Sequence, residues 1–94
     1  MQRHIKVYTE FFGIGMDDRP RCEIPLCNNL LQDVHHIIPR SKFGKKRKDE
    51  QDKIENLVGL CRDCHNKADA NVYPDYELKR IHEIFMKIHG KSFT

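Results

Sequence analysis

The residues best suited to chemistry in this chain are its four cysteines, which form two close pairs. Four residues separate Cys22 from Cys27, and two separate Cys61 from Cys64, which is the common zinc-knuckle spacing. Zn²⁺ takes four tetrahedral ligands, and thiolate sulfur suits it. Two pairs that are far apart in sequence can tie two loops to one ion. We therefore predict a fully ligated Zn²⁺ with a structural rather than a catalytic role.

A second set of reactive side chains lies between the cysteine pairs and directly after them. It comprises His35, His36, Asn56 and His65. Imidazole titrates near neutrality, so a histidine can accept a proton at working pH, and in its neutral form it can also bind a metal ion. Successive residues of a regular strand face opposite ways. His35 and His36 are therefore expected to share one site only if the backbone bends there.

Length and composition predict one small domain, residues 1–94. Hydrophobic residues make up 38% of the chain and tryptophan is absent, so we expect a thin core that benefits from a metal staple. We find no apolar run of membrane-spanning length and no apolar signal core behind Met1. The expected compartment is the cytoplasm, where clustered cysteines are metal ligands more often than disulfides.

A run of positive charge lies between the histidine pair and the second cysteine pair. Its members are Arg40, Lys42, Lys45, Lys46, Arg47 and Lys48, and an acidic stretch at 49–52 follows. A basic cluster beside a metal site is typical of proteins with a polyanionic partner. A solvated charged loop is the alternative, and the run alone does not decide between the two.

The remaining sequence predicts short elements that could position these residues. Spacings of three and four residues indicate an amphipathic helix over 3–12, which Gly13 ends. A loop over 16–28 would hold the first cysteine pair. The segment 30–38 is typical of a strand or hairpin arm, which Pro39 ends, and a charged loop separates it from a second short apolar segment at 54–60.

Two further helices are predicted in the C-terminal part. Asp63 is expected to cap a helix from Cys64 towards Ala70, and Asp75 to cap a helix over about 75–89 that ends at Gly90. The last helix carries an apolar stripe of Leu78, Ile81, Phe85 and Ile88, which we interpret as core packing. His82 and His89 are interpreted as ordinary helix residues.

The order of these residues resembles the HNH endonucleases. The resemblance rests on Asp33-Val34-His35-His36-Ile37-Ile38-Pro39, on Asn56-Leu57-Val58, and on Cys61 and Cys64 followed by His65, and it covers about residues 20–70. It implies an α+β fold, a small zinc-stapled ββα-metal domain, with flanking N- and C-terminal helices. Such small stand-alone members are common in phages and mobile elements, which implies the cytoplasm of a bacterial host cell.

The resemblance also implies roles for individual residues. His36 would be the general base, Asn56 would brace the loop and help to orient that base, and His35 and His65 would bind a catalytic divalent ion. Asp69, four residues after His65, is either a third ligand or a solvated carboxylate. The ion would be Mg²⁺ or Mn²⁺. Because His35 replaces the more frequent aspartate, softer Ni²⁺, Co²⁺ or Zn²⁺ is also expected to be accepted.

The function so implied is a metal-dependent endonuclease or nicking enzyme that acts on double-stranded DNA and leaves 5′-phosphate and 3′-hydroxyl ends. One active site cuts one strand, so a double-strand break needs a dimer, a partner or two events. Two alternatives are a zinc-knuckle DNA-binding module and an accessory protein of phage packaging that works in a larger assembly. No recognition helix is evident, so the target sequence and the oligomeric state are not predicted.

Overall fold

A computed structural model describes residues 2–90 of the chain. Within that range, three α-helices surround a two-stranded antiparallel sheet. The helices are α1 (Arg3–Phe12), α2 (Arg62–Asp69) and α3 (Asp75–His89), and the strands are β1 (Asp33–His36) and β2 (Leu57–Leu60). Short 3₁₀ turns cover Arg40–Lys42, Lys48–Glu50 and Ile54–Asn56. These elements confirm the predicted α+β class with flanking helices. None of the described helices is long and apolar enough to cross a membrane.

The two strands form a hairpin whose second strand lies in the centre of the core. Asp33 pairs with Leu60 and His36 with Leu57, and every residue of β2 is buried. A side chain at Gly59 would collide with Leu31 and with the Tyr8 ring, so only glycine permits this approach of α1 to the strand. The sheet therefore places His35 and His36 on a strand that is hydrogen-bonded to a fully buried partner strand.

The first strand is shorter than the predicted segment 30–38. At its end, the backbone N–H of Ile38 donates to the Asn56 side chain instead of to β2, at 2.8 Å. At its beginning, Leu30 forms an isolated bridge with Arg21. Competing partners at both ends thus leave four residues in the ladder. The predicted helix over 3–12 matches α1, and Gly13 ends it with a left-handed φ of 66°.

The last helix has the predicted bounds, 75–89, but the predicted N-caps of both C-terminal helices were wrong, and α2 begins two residues earlier than predicted. Cys61, not Asp63, is the N-cap of α2, and its sulfur accepts a hydrogen bond from the Cys64 N–H. Pro74 precedes α3, so Asp75 lies in the first helical turn, where its negative charge still favours the helix N-terminus. The sulfur took the capping role because the zinc-knuckle loop places it over the first helical N–H groups.

The buried face of α3 also differs from the predicted stripe. Leu78, His82 and Met86 are the buried residues of the helix, whereas Ile88 is 68% exposed. The interpretation of His82 as an ordinary helix residue was wrong, because it has no exposed surface at all. The sequence pattern did not predict the burial of His82 because the predicted stripe contained apolar residues only. The buried face of α3 is rotated relative to the predicted stripe because His82 has polar partners inside the core.

These partners form a hydrogen-bond network around a fully buried carboxylate, Glu23. One Glu23 oxygen accepts from Tyr8 Oη at 2.6 Å and from the Gly59 N–H at 2.7 Å, while the other lies 2.8 Å from His82 Nδ1. His82 Nε2 donates to the Ile54 carbonyl at 2.6 Å. Burial and the adjacent carboxylate raise the pKa of Tyr8 far above its usual value, so its phenol stays a donor. The network joins α1, the loop that carries Cys22 and Cys27, β2 and α3.

Replacing Glu23 with leucine is expected to destabilise the protein by about 3–5 kcal/mol, because it leaves buried donors without an acceptor. A loss of that size lowers the melting temperature of a domain of this size by more than about 10 °C. Thermal unfolding followed by circular dichroism measures it.

Glu23→Gln is the matched control, since its amide oxygen can accept both donors and its NH₂ can face His82 Nδ1. Stability of Glu23→Gln should stay close to that of the parent. Equal losses for leucine and glutamine would show that the charge, rather than the hydrogen-bond network, supplies the stability.

Candidate metal centres and active site

The four cysteine sulfurs lie close enough together to hold one ion. Their sulfur atoms are all within 4.8 Å of one another, although the pairs come from opposite ends of the motif. Cys27 Sγ lies 3.8 Å from both Cys61 Sγ and Cys64 Sγ. A tetrahedral site with Zn–S bonds of about 2.3 Å has S···S edges of about 3.8 Å. The cluster therefore has the donor set and the size of a structural zinc site.

The surroundings of Cys61 favour the thiolate that zinc requires. Its sulfur accepts from the Cys64 N–H at 3.4 Å and from Asn29 Nδ2 at 3.7 Å. Burial raises the pKa of Cys61, but these hydrogen bonds and those from the other thiols outweigh it and lower the pKa to about 7. Leu26, in the four-residue spacer of the first pair, adopts a left-handed φ of 67°. That turn brings Cys27 back towards the other sulfurs.

A second cluster joins β1 to α2. Ligand atoms of His35, His65 and Asp69 lie within 4.8 Å of one another, with the two rings 5.0 Å apart between centroids. His65 and Asp69 are one helical turn apart, and His65 Nε2 is 3.7 Å from the Asp69 carboxylate. The structure thus brings together the three residues proposed as catalytic-metal ligands, including Asp69, whose side chain is 62% exposed.

Asp33 orients His65 from behind. His65 Nδ1 donates to Asp33 at 3.0 Å, and the Arg62 guanidinium donates to the same carboxylate at 2.8 and 3.2 Å. Burial opposes the charge of Asp33, but the hydrogen bonds from His65 and Arg62 outweigh it and lower its pKa below the usual value. With Nδ1 protonated, His65 presents Nε2 as a neutral ligand, a common arrangement in metal sites.

His35 is also held in the form that binds metal. Burial and the neighbouring His65 lower the pKa of His35 below its usual value. Its ring therefore stays neutral at physiological pH, and only a neutral imidazole can ligate an ion. The cluster combines two neutral imidazoles with one carboxylate, a donor set that suits a divalent cation.

His36 points away from this cluster, as strand alternation requires. Its Nε2 lies 2.8 Å from Asp52 Oδ1, and its ring is 4.8 Å from the His4 ring of α1. Yet His35, His36 and Asp69 all line one cleft of about 330 Å³ between the end of β1 and the α2–α3 connection. His35 and His36 thus line the same cleft, although their ligand atoms belong to different side-chain clusters.

Asn56 holds the loops around the histidine pair together. Its side-chain oxygen accepts from the Ile38 N–H at 2.8 Å, and its NH₂ donates to the carbonyls of Ile38 at 3.1 Å and Gln51 at 2.9 Å. All three of these contacts are with backbone groups. Asn56 joins the segment after His36 to the residue that precedes Asp52.

Three residues of the site were not assigned roles from the sequence. Asp52 was seen only as part of an acidic stretch, His4 as part of an amphipathic helix, and Asp33 as part of the motif. A signal existed for Asp33, which lies two residues before His35 and therefore on the same strand face. Asp52 and His4 gave none, because their proximity to His36 depends on the tertiary fold.

The model of the HNH endonuclease family matches residues 20–70. The chain belongs to the HNH endonuclease family. This match confirms the resemblance seen in the motif, and it points to nuclease activity, with DNA as the substrate and metal as a requirement of HNH domains. Neither the curated proteins nor the solved structures that were searched contain a match to the chain.

The matched part of this HNH protein includes the basic run, which lies on a surface loop. All six basic residues are exposed. Arg47 pairs with Glu50 at 2.5 Å and lies over the Phe43 ring at 5.6 Å, while Arg40 lies 3.4 Å from His4. The loop begins at Arg40, directly after Pro39, which lines the cleft together with His35 and His36.

Proposed function

We propose that this HNH protein is a metal-dependent endonuclease that nicks double-stranded DNA and leaves 5′-phosphate and 3′-hydroxyl ends. The observation that supports the proposal most directly is the shared cleft. His35 and Asp69 of the candidate metal cluster line this cleft together with His36, the candidate base. Family membership alone would not place a base and a ligand set at one opening.

In this proposal, His36 accepts the proton of the attacking water. Histidine is suited to the task because its ordinary pKa lies near working pH. The ring is largely buried, and its Nε2 contacts Asp52, which limits its orientations. Asn56 keeps the loop that carries Asp52 against the end of β1, so the base is supported through two contacts.

His35, His65 and Asp69 would hold the divalent ion. When bound, such an ion polarises the phosphate and stabilises the charge of the departing 3′ oxygen. Two imidazoles and a carboxylate accept Mn²⁺, Ni²⁺, Co²⁺ or Zn²⁺ more readily than all-oxygen sites do, and Mg²⁺ remains a candidate. Asp33 contributes by holding His65 in the tautomer that leaves Nε2 available.

Nicking of supercoiled plasmid tests this function. The chain should convert supercoiled to open-circular DNA with at least one of Mg²⁺, Mn²⁺, Ni²⁺, Co²⁺ or Zn²⁺, and a chelator should stop the reaction. End labelling should find 5′-phosphates and 3′-hydroxyls. Plasmid binding without nicking under every metal would favour the alternative of a DNA-binding module or of an accessory protein in a larger assembly such as phage packaging.

The basic loop is expected to bind DNA phosphates rather than bases. Changing Lys45, Lys46 and Lys48 to alanine should weaken binding equally on all DNA sequences, because lysine offers a point charge with little base selectivity. The slope of log affinity against log salt should fall by up to about 0.9 for each phosphate that the variant no longer neutralises. Fluorescence anisotropy over a salt series on two unrelated duplexes measures both effects.

Removing three charges from α3, as Lys79→Ala, Arg80→Ala and Lys87→Ala, is the matched control. These residues are exposed like the loop lysines. The control should alter affinity and salt slope less than the loop variant does. A loss confined to one duplex sequence would contradict a phosphate-binding role and would indicate base contacts.

A further inference from the structure

The His36 ring has a buried acidic partner that the family match does not explain by itself. Asp52 precedes the turn at Ile54–Asn56, and its carboxylate lies 2.8 Å from His36 Nε2. The two side chains are only 12% and 9% exposed. Burying a carboxylate is unfavourable unless it is hydrogen-bonded or paired. The contact with His36 is therefore a specific one, in contrast to the exposed neighbour Asp49, whose side chain is 89% exposed.

The contact with Asp52 gives the two nitrogens of the His36 ring different roles. Burial opposes the charge of Asp52, but the hydrogen bond and charge of His36, with the charges of Arg40 and Arg3, outweigh it and lower the pKa of Asp52. An ionised carboxylate only accepts hydrogen bonds, so Nε2 must carry the proton. In the neutral ring, Nδ1 is then the nitrogen with a free lone pair. Asp52 thus selects one tautomer of His36.

The N-terminal helix closes the other side of this arrangement. His4 of α1 is 8% exposed, and its ring lies 4.8 Å from the His36 ring. α1 lies outside residues 20–70, so its contact with His36 comes from a part of the chain that the family model does not match. Contact with His4 restricts rotation of the His36 ring, and a half-turn of that ring would put Cε1 in the place of Nε2 and break the contact with Asp52.

The same three side chains are close enough to bind a cation, but their surroundings oppose it. Ligand atoms of His4, His36 and Asp52 lie within 4.8 Å of one another. Arg40 lies 3.4 Å from His4, and Arg3 lies 3.9 Å from Asp52. Two guanidinium charges at this distance repel a divalent ion. They are compatible with a hydrogen-bonded carboxylate and with the phosphates of DNA.

We infer that Asp52 is a positioning residue for catalysis, which holds His36 as the Nε2–H tautomer so that Nδ1 receives the proton of the attacking water. The carboxylate also stabilises the imidazolium that forms when the proton arrives. The inference rests on the proposed function of His36 as the base. It adds an acidic residue besides Asp33 and Asp69, and the helix α1, to the site, and neither belongs to the histidine–asparagine–histidine motif.

The first test compares rates. Asp52→Ala should lower kcat for plasmid nicking by about 10–100-fold, the usual range for residues that orient a functional side chain, with KM nearly unchanged. In a His36→Ala background, the same change should cause no further loss beyond about twofold, because its target is gone. Asp49→Ala, which removes an exposed carboxylate three residues away, is the matched control and should keep the parent rate.

The second test reads the tautomer directly. Nitrogen-15 NMR of the histidine rings, assigned by comparison with His36→Ala and followed over a pH series, should show the proton of the neutral His36 ring on Nε2. Asp52→Asn has the same shape and is expected to fold, and it should give a mixture of the two tautomers. This measurement is independent of activity, so a variant that loses activity through unfolding cannot imitate it.

The outcomes separate this inference from the proposed function. Full nicking activity of His36→Ala would overturn both. Loss of nicking in His36→Ala with a parent rate in Asp52→Ala would overturn only the role of Asp52. An additional loss on adding Asp52→Ala to His36→Ala, or a parent His36 protonated at Nδ1, would likewise contradict it.

Discussion

Cys61→Ser should unfold the domain at room temperature rather than weaken it slightly. The change removes one of four sulfurs that lie within 4.8 Å of one another and join the loop at 22–27 to the start of α2. Binding of a structural zinc ion is worth about 10–16 kcal/mol near neutral pH, whereas a domain of this kind is stable by about 5–15 kcal/mol. Losing most of that binding energy leaves little or no net stability.

The cysteines are also part of the hydrophobic core itself. Cys22, Cys61 and Cys64 belong to the same buried cluster as Val58, Leu60 and Leu78. The ion would therefore order the core, and the effect should extend beyond the zinc loop to α3. Far-ultraviolet circular dichroism should show loss of helix in Cys61→Ser, and elemental analysis of the washed parent should give about one zinc per chain.

Asn29→Ala provides the comparison for Cys61→Ser. It removes a hydrogen bond to the Cys61 sulfur but no ligand, so it should cost only about 1 kcal/mol and keep the zinc. Less than half an equivalent of zinc in a parent protein with its fold intact would contradict the structural role of the ion. A folded Cys61→Ser with parent stability would do the same.

The elements nearest the motif could be predicted because their signals are local. Gly13 ends α1, Pro39 lies just beyond β1, and the two-residue spacing of Cys61 and Cys64 is typical of a knuckle that starts a helix. Each of these signals depends on residues a few positions apart. The grouping of His35, His65 and Asp69 could be anticipated from the motif for the same reason, since two of the three lie one helical turn apart.

The polar network at the centre of the fold could not be predicted in this way. Glu23 and His82 are 59 positions apart, and His36 and Asp52 are 16 apart. Hydrophobic periodicity ranks histidine and glutamate as surface residues, so a fully buried pair contradicts the pattern rather than following it. The wrong prediction that Ile88 packs in the core has the same origin, because α3 buries His82 and leaves Ile88 exposed.

His36→Ala should reduce DNA nicking by about 10²–10⁴-fold and leave the fold, the zinc and DNA binding close to those of the parent. The reason is that His36 would act as the base while contributing little to the core or to the metal clusters. Its imidazole is bonded to Asp52 and lines the cleft beside His35. Single-turnover plasmid nicking at saturating metal measures the rate, with binding measured separately by anisotropy.

His65→Ala is the contrasting variant, because it removes a candidate ligand rather than the base. It should weaken binding of the catalytic ion, so that part of the lost nicking returns as the metal concentration rises. His36→Ala should show no such recovery. His89→Ala, which removes an exposed histidine from α3, is the matched control for loss of an imidazole. If His36→Ala nicks plasmid at the parent rate under matched metal and salt, the base lies elsewhere, and the shared cleft of His35 and His36 has no catalytic meaning.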